Sequence, residues 1–159
     1  MAAPVTSTRI LPSGAQKLKD GYQSFIVPSS NPGFRFWEKS VQLPGIDGGE
    51  KIDITTMHNS IWRVNAARSL KTLTPLQISG GHSPSVTAGD IQALINVNQS
   101  WTVRCPNGDT ISFYAFLKSY VPSANTEGAF PEATLTLEPT NVDNTGAEQS
   151  PIYTTGIGS

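Results

Sequence analysis

The sequence predicts an all-β fold with one flanking helix, built as a β-sandwich or partial barrel. Three observations carry this reading. Several short runs alternate apolar and polar residues between turn-rich breaks, a tight hairpin turns at Pro106-Asn107-Gly108-Asp109, and one helical pattern places Ile91, Leu94 and Ile95 after Thr87-Ala88-Gly89-Asp90.

Residues 1–22 mix Pro, Ser, Gly and Lys without a period and are expected as an N-terminal arm, ahead of a β domain over 23–141. Gln23 to Val27 is a short apolar strand, closed by Pro28-Ser29-Ser30-Asn31-Pro32-Gly33. Phe34 to Leu43 then alternates. Trp37, Val41 and Leu43 share one face with Arg35 and Lys39, against Phe36, Glu38, Ser40 and Gln42 on the other. Neither face is wholly apolar, so this strand is expected to be covered on both sides, partly by another chain.

Pro44-Gly45-Ile46-Asp47-Gly48-Gly49 breaks the pattern. Lys51 to Thr56 reads as a strand with Ile52 and Ile54 on one face. From Met57 to Leu70 the period dissolves. A connection this long in a small domain is uncommon and usually functional or mobile. Strand signal resumes from Leu73 to Ile78, with Pro75 marking an edge or a strand start.

Asp90 stands three positions after Thr87, a capping-box variant that also suits the helix dipole. The helix has a narrow apolar stripe, as expected of one laid on the side of a sheet. In the hairpin, Trp101, Val103 and Cys105 share a face. On the return strand Ile111, Phe113, Ala115 and Leu117 oppose Ser112, Tyr114, Phe116 and Lys118. Asn107-Gly108 is expected to supply the positive φ angles of a type I′ turn. Ala133 to Glu138 turns Leu135 and Leu137 inward, opposite Thr134, Thr136 and Glu138. A C-terminal tail, 142–159, follows without a pattern.

At 159 residues the chain fits one domain. Charged residues are 14%, against about 25% in soluble domains, so much of the surface is expected to be covered by partners. A net charge of -1 excludes a global electrostatic drive toward nucleic acid or an anionic membrane. All eleven Lys and Arg lie at or before Lys118, whereas Glu127, Glu132, Glu138, Asp143 and Glu148 follow with no basic residue among them. That asymmetry is either a solvated acidic tail or a functional patch. Cys105 is the only cysteine, which excludes an intramolecular disulfide and suits a reducing compartment. No signal-peptide pattern is visible, and no apolar run approaches the roughly 20 residues that span a bilayer.

Catalytic chemistry finds no support. Gly81-His82-Ser83 resembles a nucleophile elbow, but Pro84 and Ser85 replace its end, and the chain is too short for the usual parallel sheet. His58 and His82, the only histidines, have no metal-ligand spacing. Gly48-Gly49 and Gly80-Gly81 lack the flanks of a phosphate loop. Trp37, Trp101, Tyr114 and Phe116 fit core or interface better than a stacking platform for bases or sugars. Arg63, Arg68 and Lys71 form a loose basic cluster without the aromatic signature of an RNA-binding sheet. No catalytic residue, cofactor or metal is expected.

Four segments resemble the tail tube (major tail) proteins of long-tailed bacteriophages and related gene-transfer particles. They are Ile52-Asp53-Ile54-Thr55-Thr56-Met57 with its long loop, the helix from Thr87, Pro106-Asn107-Gly108-Asp109-Thr110-Ile111-Ser112-Phe113-Tyr114 with its extension to Tyr120-Val121-Pro122, and residues 128–140. Together they cover roughly 50 to 141. The resemblance implies two packed β-sheets flanked by one helix. Six copies would close a ring, neighbouring sheets would join in an inner barrel, and rings would stack into a tube. Ring closure removes exposed strand edges, and stacking of identical rings gives an open-ended polymer.

The expected role is therefore a self-assembling structural subunit of a virion tail, made in the host cytoplasm, with genome ejection through its bore. Expected partners are further copies and the tape measure, terminator and baseplate proteins, with no membrane. Double-stranded DNA is expected to pass without specific binding. Trp62, Arg63 and Arg68, in the loop Thr55 to Lys71, are candidates for contacts between rings. Thr134, Thr136 and Glu138, with Glu38, Ser40 and Gln42, are candidates for the lumen wall. The rival readings are a secretion-system tube, a tail-terminator ring, a carbohydrate-binding β-sandwich using Trp37, Trp62 and Trp101, and an enzyme using Ser83.

Overall fold

The computed structural model describes residues 24–32, 34, 36–81 and 90–156. Among these residues the strands are β1 (Phe25–Pro28), β2 (Trp37–Val41), β3 (Ile46–Asp47), β4 (Ile52–Asp53), β5 (Asn65–Ala66), β6 (Thr72–Leu73), β7 (Leu76–Gly81), β8 (Gln99–Arg104), β9 (Thr110–Pro122), β10 (Glu132–Pro139) and β11 (Ile152–Thr154). One short helix, α1, occupies 90–94.

The meander β8–β9–β10 forms the centre. Alternation in the sequence becomes an inward face here. Trp101 and Val103, then Ile111, Phe113, Ala115 and Leu117, then Ala133, Leu135 and Leu137 are buried, with half-exposed or exposed residues between them. β7 and β2 extend the sheet beyond β10, and β1 extends it beyond β8, every pair antiparallel. β11 joins β9 at Thr110–Ser112, where β10 has already ended at Ala115. Residues expected as a tail thus contribute the seventh strand.

Ile91 and Leu94 of α1 complete the core with Ile26, Phe34, Phe36, Leu76 and Ile78. The sheet curls around this core as a half-barrel until its outer strands approach, and the Ile26 N–H donates to the Glu38 Oε1 at 3.1 Å. The expected all-β architecture with its flanking helix is present. Its two layers belong to one continuous curled sheet, not to separate ones. Pro75 falls in the break between β6 and β7, a position that needs no N–H for the ladder.

Two local expectations are corrected. Gly108 has φ 89°, but Asn107 is not in the positive-φ region, so the turn is not type I′. Pro106 fixes φ near -65° at the first turn position, which favours a type I turn followed by a left-handed glycine. The Gly108 N–H bonds the Cys105 carbonyl at 3.0 Å, and the Cys105 N–H bonds the Asp109 carbonyl at 2.8 Å. Second, Ile52 and Ile54 are 46% and 50% exposed, so the apolar face read there belongs to no core. The expected N-terminal arm, the Thr87 cap and His82-Ser83 lie outside the described residues.

Candidate functional surfaces

Residues 45–74 form an antiparallel arm that leaves the sheet. At its base Ile46 pairs with Leu73, and Gly45 and Thr74 exchange two bonds, the Thr74 N–H donating to the Gly45 carbonyl at 2.9 Å and the Gly45 N–H to Thr74 Oγ1 at 3.0 Å. Further out Ile52 pairs with Ala66 and Asp53 with Asn65. The stretch expected as a patternless loop is therefore partly paired. Arg68 laces its middle, since its Nε donates to the Glu50 carbonyl at 2.9 Å and its stem lies over Gly49. Near the tip the Val64 N–H donates to Thr55 Oγ1 at 2.9 Å, and Asn59 Oδ1 accepts the Thr56 N–H at 2.8 Å. Bonds from Thr55 also hold the Asp53 carboxyl below its usual range.

This arm is strongly apolar for an exposed element. Of fifteen large apolar side chains exposed among the described residues, eight lie between Ile46 and Leu70. Trp62 and Ile61 are each 80% exposed, and Met57 is fully so. Trp62 and Arg63 stand at the tip, whereas Arg68 sits lower and serves the arm's own shape.

The second surface is the outer face of β2, β7 and β10. Ser40 lies opposite Ser79, Ser79 opposite Thr134, and Gln77 opposite Thr136, giving a row of neutral polar residues across three strands. A shallow depression of about 450 Å³ is lined by Ser40, Gln42, Gln77, Ser79 and Thr134. Two bulges add its charges. The register slips at Lys39 in β2 and at Lys118 in β9, and an extra residue in one strand re-aims the side chains around it. Lys39 then pairs with Glu132, and Lys118 Nζ lies 3.8 Å from Glu138 Oε1. The neutral row is thus bracketed by two ion pairs on β10.

Ser40, Gln42, Thr134, Thr136 and Glu138 come together on this face, as their alternation predicts. Glu38 does not. The bulge after it places Glu38 opposite Gly80, whose other neighbour is the buried Ala133, so Glu38 belongs to the core side. Strict alternation assigned it wrongly because a bulge has no signature in the apolar pattern.

The C-terminal segment folds against the sheet. Asp143 Oδ1 accepts the Thr145 N–H at 2.8 Å, the Thr145 hydroxyl at 2.6 Å and the Ala147 N–H at 3.0 Å, and Oδ2 accepts Gln149 Nε2 at 3.1 Å. These bonds, led by the Thr145 hydroxyl, bring its pKa down to about 2. The acidic excess after Lys118 is thereby partly absorbed, by two ion pairs and one turn.

Reactive chemistry gains nothing from the geometry. Burial pushes the half-buried Cys105 thiol up, and the Asp109 carboxylate pushes it further, away from the reactive thiolate. No cluster of three potential metal ligands occurs among the described residues. Trp101 is 1% exposed and its Nε1–H donates to the Ala115 carbonyl at 3.2 Å, so it cannot serve an exposed sugar platform. No helix among the described residues is long and apolar enough to cross a membrane.

No protein-family model matches the sequence, and no curated protein does. Solved structures do match. A chain from the tail of an empty gene transfer agent particle, determined with helical refinement and C6 symmetry, gives a TM-score of 0.62 at 12% identity, over 87% of this chain and 100% of that one. A chain from the virion of the native gene transfer agent particle gives the same TM-score of 0.62, identity of 12% and coverage of 87% and 100%. A chain of the anti-feeding prophage baseplate, 6-fold symmetrised, gives 0.56 at 12% identity, over 83% and 91%. At such identities the likeness is one of fold. The curled sheet with its short helix is a fold shared with these chains of the gene transfer agent particle and the anti-feeding prophage baseplate.

Proposed function

We propose that this chain is the structural subunit of a phage-type tail tube, with six copies closing a ring, rings stacking, and DNA leaving through the bore. The observation that carries this reading is the apolar arm, which exposes eight large hydrophobic side chains between Ile46 and Leu70, the kind of surface that marks a site of protein contact. The shared fold supports it, as does the six-fold symmetry in which two of the matching chains were determined. The subunit acts without catalysis, in the virion tail after assembly in the host cytoplasm. Its partners are further copies, with tape measure, terminator and baseplate proteins at the ends. Trp62 and Arg63 make the contact between rings while Arg68 shapes the arm. The face carrying Ser40, Gln42, Thr134, Thr136 and Glu138 lines the bore.

Electron microscopy of the concentrated protein is the test. Hexameric rings and tubes are expected, and a monomer at every concentration ends the proposal. Replacing Trp62, Arg63 and Arg68 together by alanine is expected to preserve circular dichroism and abolish tubes. Normal tubes from that variant would remove the arm from the contact. A second reading, a ring component of a baseplate, draws on the likeness to the anti-feeding prophage chain. Rings that never stack would favour it.

A further inference from the structure

A groove of about 580 Å³ runs between the base of the arm and the C-terminal hairpin. Ile46, Leu70, Leu73 and the cation Lys71 line the side at the base of the arm, and Val142, Pro151 and the one carboxylate, Glu148, line the other. Ile46 and Leu70 are 57% and 80% exposed, so this chain leaves the groove's apolar side open to solvent. The opposite wall is fixed in place by the Asp143 turn and by the bridge between Val142 and Glu148.

The arm tip has complementary properties. Between Thr55 and Val64 lie Ile61, Trp62 and Arg63 with no carboxylate, whereas residues 141–151 carry Asp143 and Glu148 with no basic residue. Asp143 is engaged in its own turn, and Glu148 is exposed. The arm is paired at its base (Ile46 with Leu73) and again further out (Ile52 with Ala66, Asp53 with Asn65), and beyond that pairing Trp62 is 80% exposed. The tip is therefore presented to another molecule.

We propose that the groove receives the arm tip of a second copy, with Trp62 filling it and Arg63 pairing with Glu148. This rests on the tail-tube reading and names the receiving site. Tip and groove are different patches, so the contact is head-to-tail, the kind that can repeat from ring to ring along an axis. Trp and Arg are the residue types that anchor such contacts, and the charge pair sets the register. The charge asymmetry of the sequence then has a use between copies.

The test measures the lowest concentration at which the full chain forms tubes, by sedimentation and electron microscopy. Arg63→Glu and Glu148→Arg are each expected to raise it about tenfold or more, and the double charge swap to return it close to wild type. Both side chains are exposed, so circular dichroism should stay constant across the set. A double variant no better than the single ones, or Glu148→Arg assembling like wild type, overturns the pairing and leaves the tube reading standing. A wild-type chain that never assembles overturns both.

Discussion

The Ile26 N–H donates to the Glu38 carboxylate at 3.1 Å, across the two outermost strands of the sheet. The Ser29 N–H bonds the Ser100 carbonyl at 2.9 Å, and antiparallel bonding alternates along β1. In that register the N–H of Ile26 points away from β8, toward the open edge. Glu38 meets it because the bulge at Lys39 turns Glu38 to the core side and Gly80 opposite carries no side chain.

Glu38→Ala is therefore expected to destabilise the monomer. It strips the acceptor from the N–H of a residue only 1% exposed, a loss of about 1–3 kcal/mol. Glu38→Gln keeps an oxygen acceptor and should lose less. Urea denaturation measures both, and an alanine variant as stable as wild type would mean that the bond adds nothing in solution.

The hairpin turn and the C-terminal strand are coupled through two glycines. The Gly156 N–H donates to Asp109 Oδ1 at 2.6 Å, and a Cβ on Gly156 would lie 2.7 Å from the Gly108 carbonyl oxygen. Gly156→Ala should release β11, seen as faster proteolysis of the C-terminal segment with little change in melting temperature, because β11 has no buried side chain. Gly108→Ala should instead lower global stability by about 1 kcal/mol or more, since φ 89° disfavours any Cβ. Equal proteolysis of the Gly156 variant and wild type would contradict the coupling.

Asp143 gives a pH dependence with a defined sign. Its pKa of about 2 lies below the ordinary carboxylate value of about 4. The support it lends the turn is complete above about pH 4 and is lost as pH falls through about 2. Amide resonances of Thr145 and Ala147 should titrate with a midpoint near the lower value, and Asp143→Asn should abolish that titration. A midpoint at the ordinary value would show that the bonds do not form in solution.

Neutrality of the outer polar face has a direct test. Assembled tubes should bind double-stranded DNA negligibly at physiological salt, because Lys39 and Lys118 face Glu132 and Glu138. Replacing both glutamates by glutamine leaves the two lysines unmatched and should produce affinity that falls steeply with added salt. Tight, salt-sensitive binding by wild-type tubes would refute the assignment of this face to the bore.

Much of the fold was legible because strict alternation, turn residues and a single helical stripe all pointed to one answer. The meander β8–β9–β10 follows that rule through Trp101, Phe113 and Leu135. The failures share a cause. Bulges at Lys39 and Lys118 shift faces without altering composition, so Glu38 was misplaced while Ser40 and Thr134 were not. The exposed β11 has no alternation to display, and pairing between Asp53 and Asn65 buries nothing that the sequence reports. The arm's candidates were found through length and residue type, and the same signals could not tell the tip residue Arg63 from the lacing residue Arg68. Glu148 gave only a diffuse charge signal, since its position beside Leu70 depends on the tertiary fold.

The strand order also sets a timetable. β8, β9 and β10 are sequential neighbours and can pair through short connections, whereas β1 must find residues 101–104 and β2 must find residues 78–81 across long stretches of chain. Loop closure of that length is slow, so the meander is expected to nucleate folding while the outer strands dock late. Kinetic analysis should therefore give φ-values near zero for substitutions in β1 and higher ones in β9. Until the outer strands dock, the nascent sheet has two open edges. The concentration of refolding chains, more than the stability of the finished subunit, then governs the yield of soluble protein.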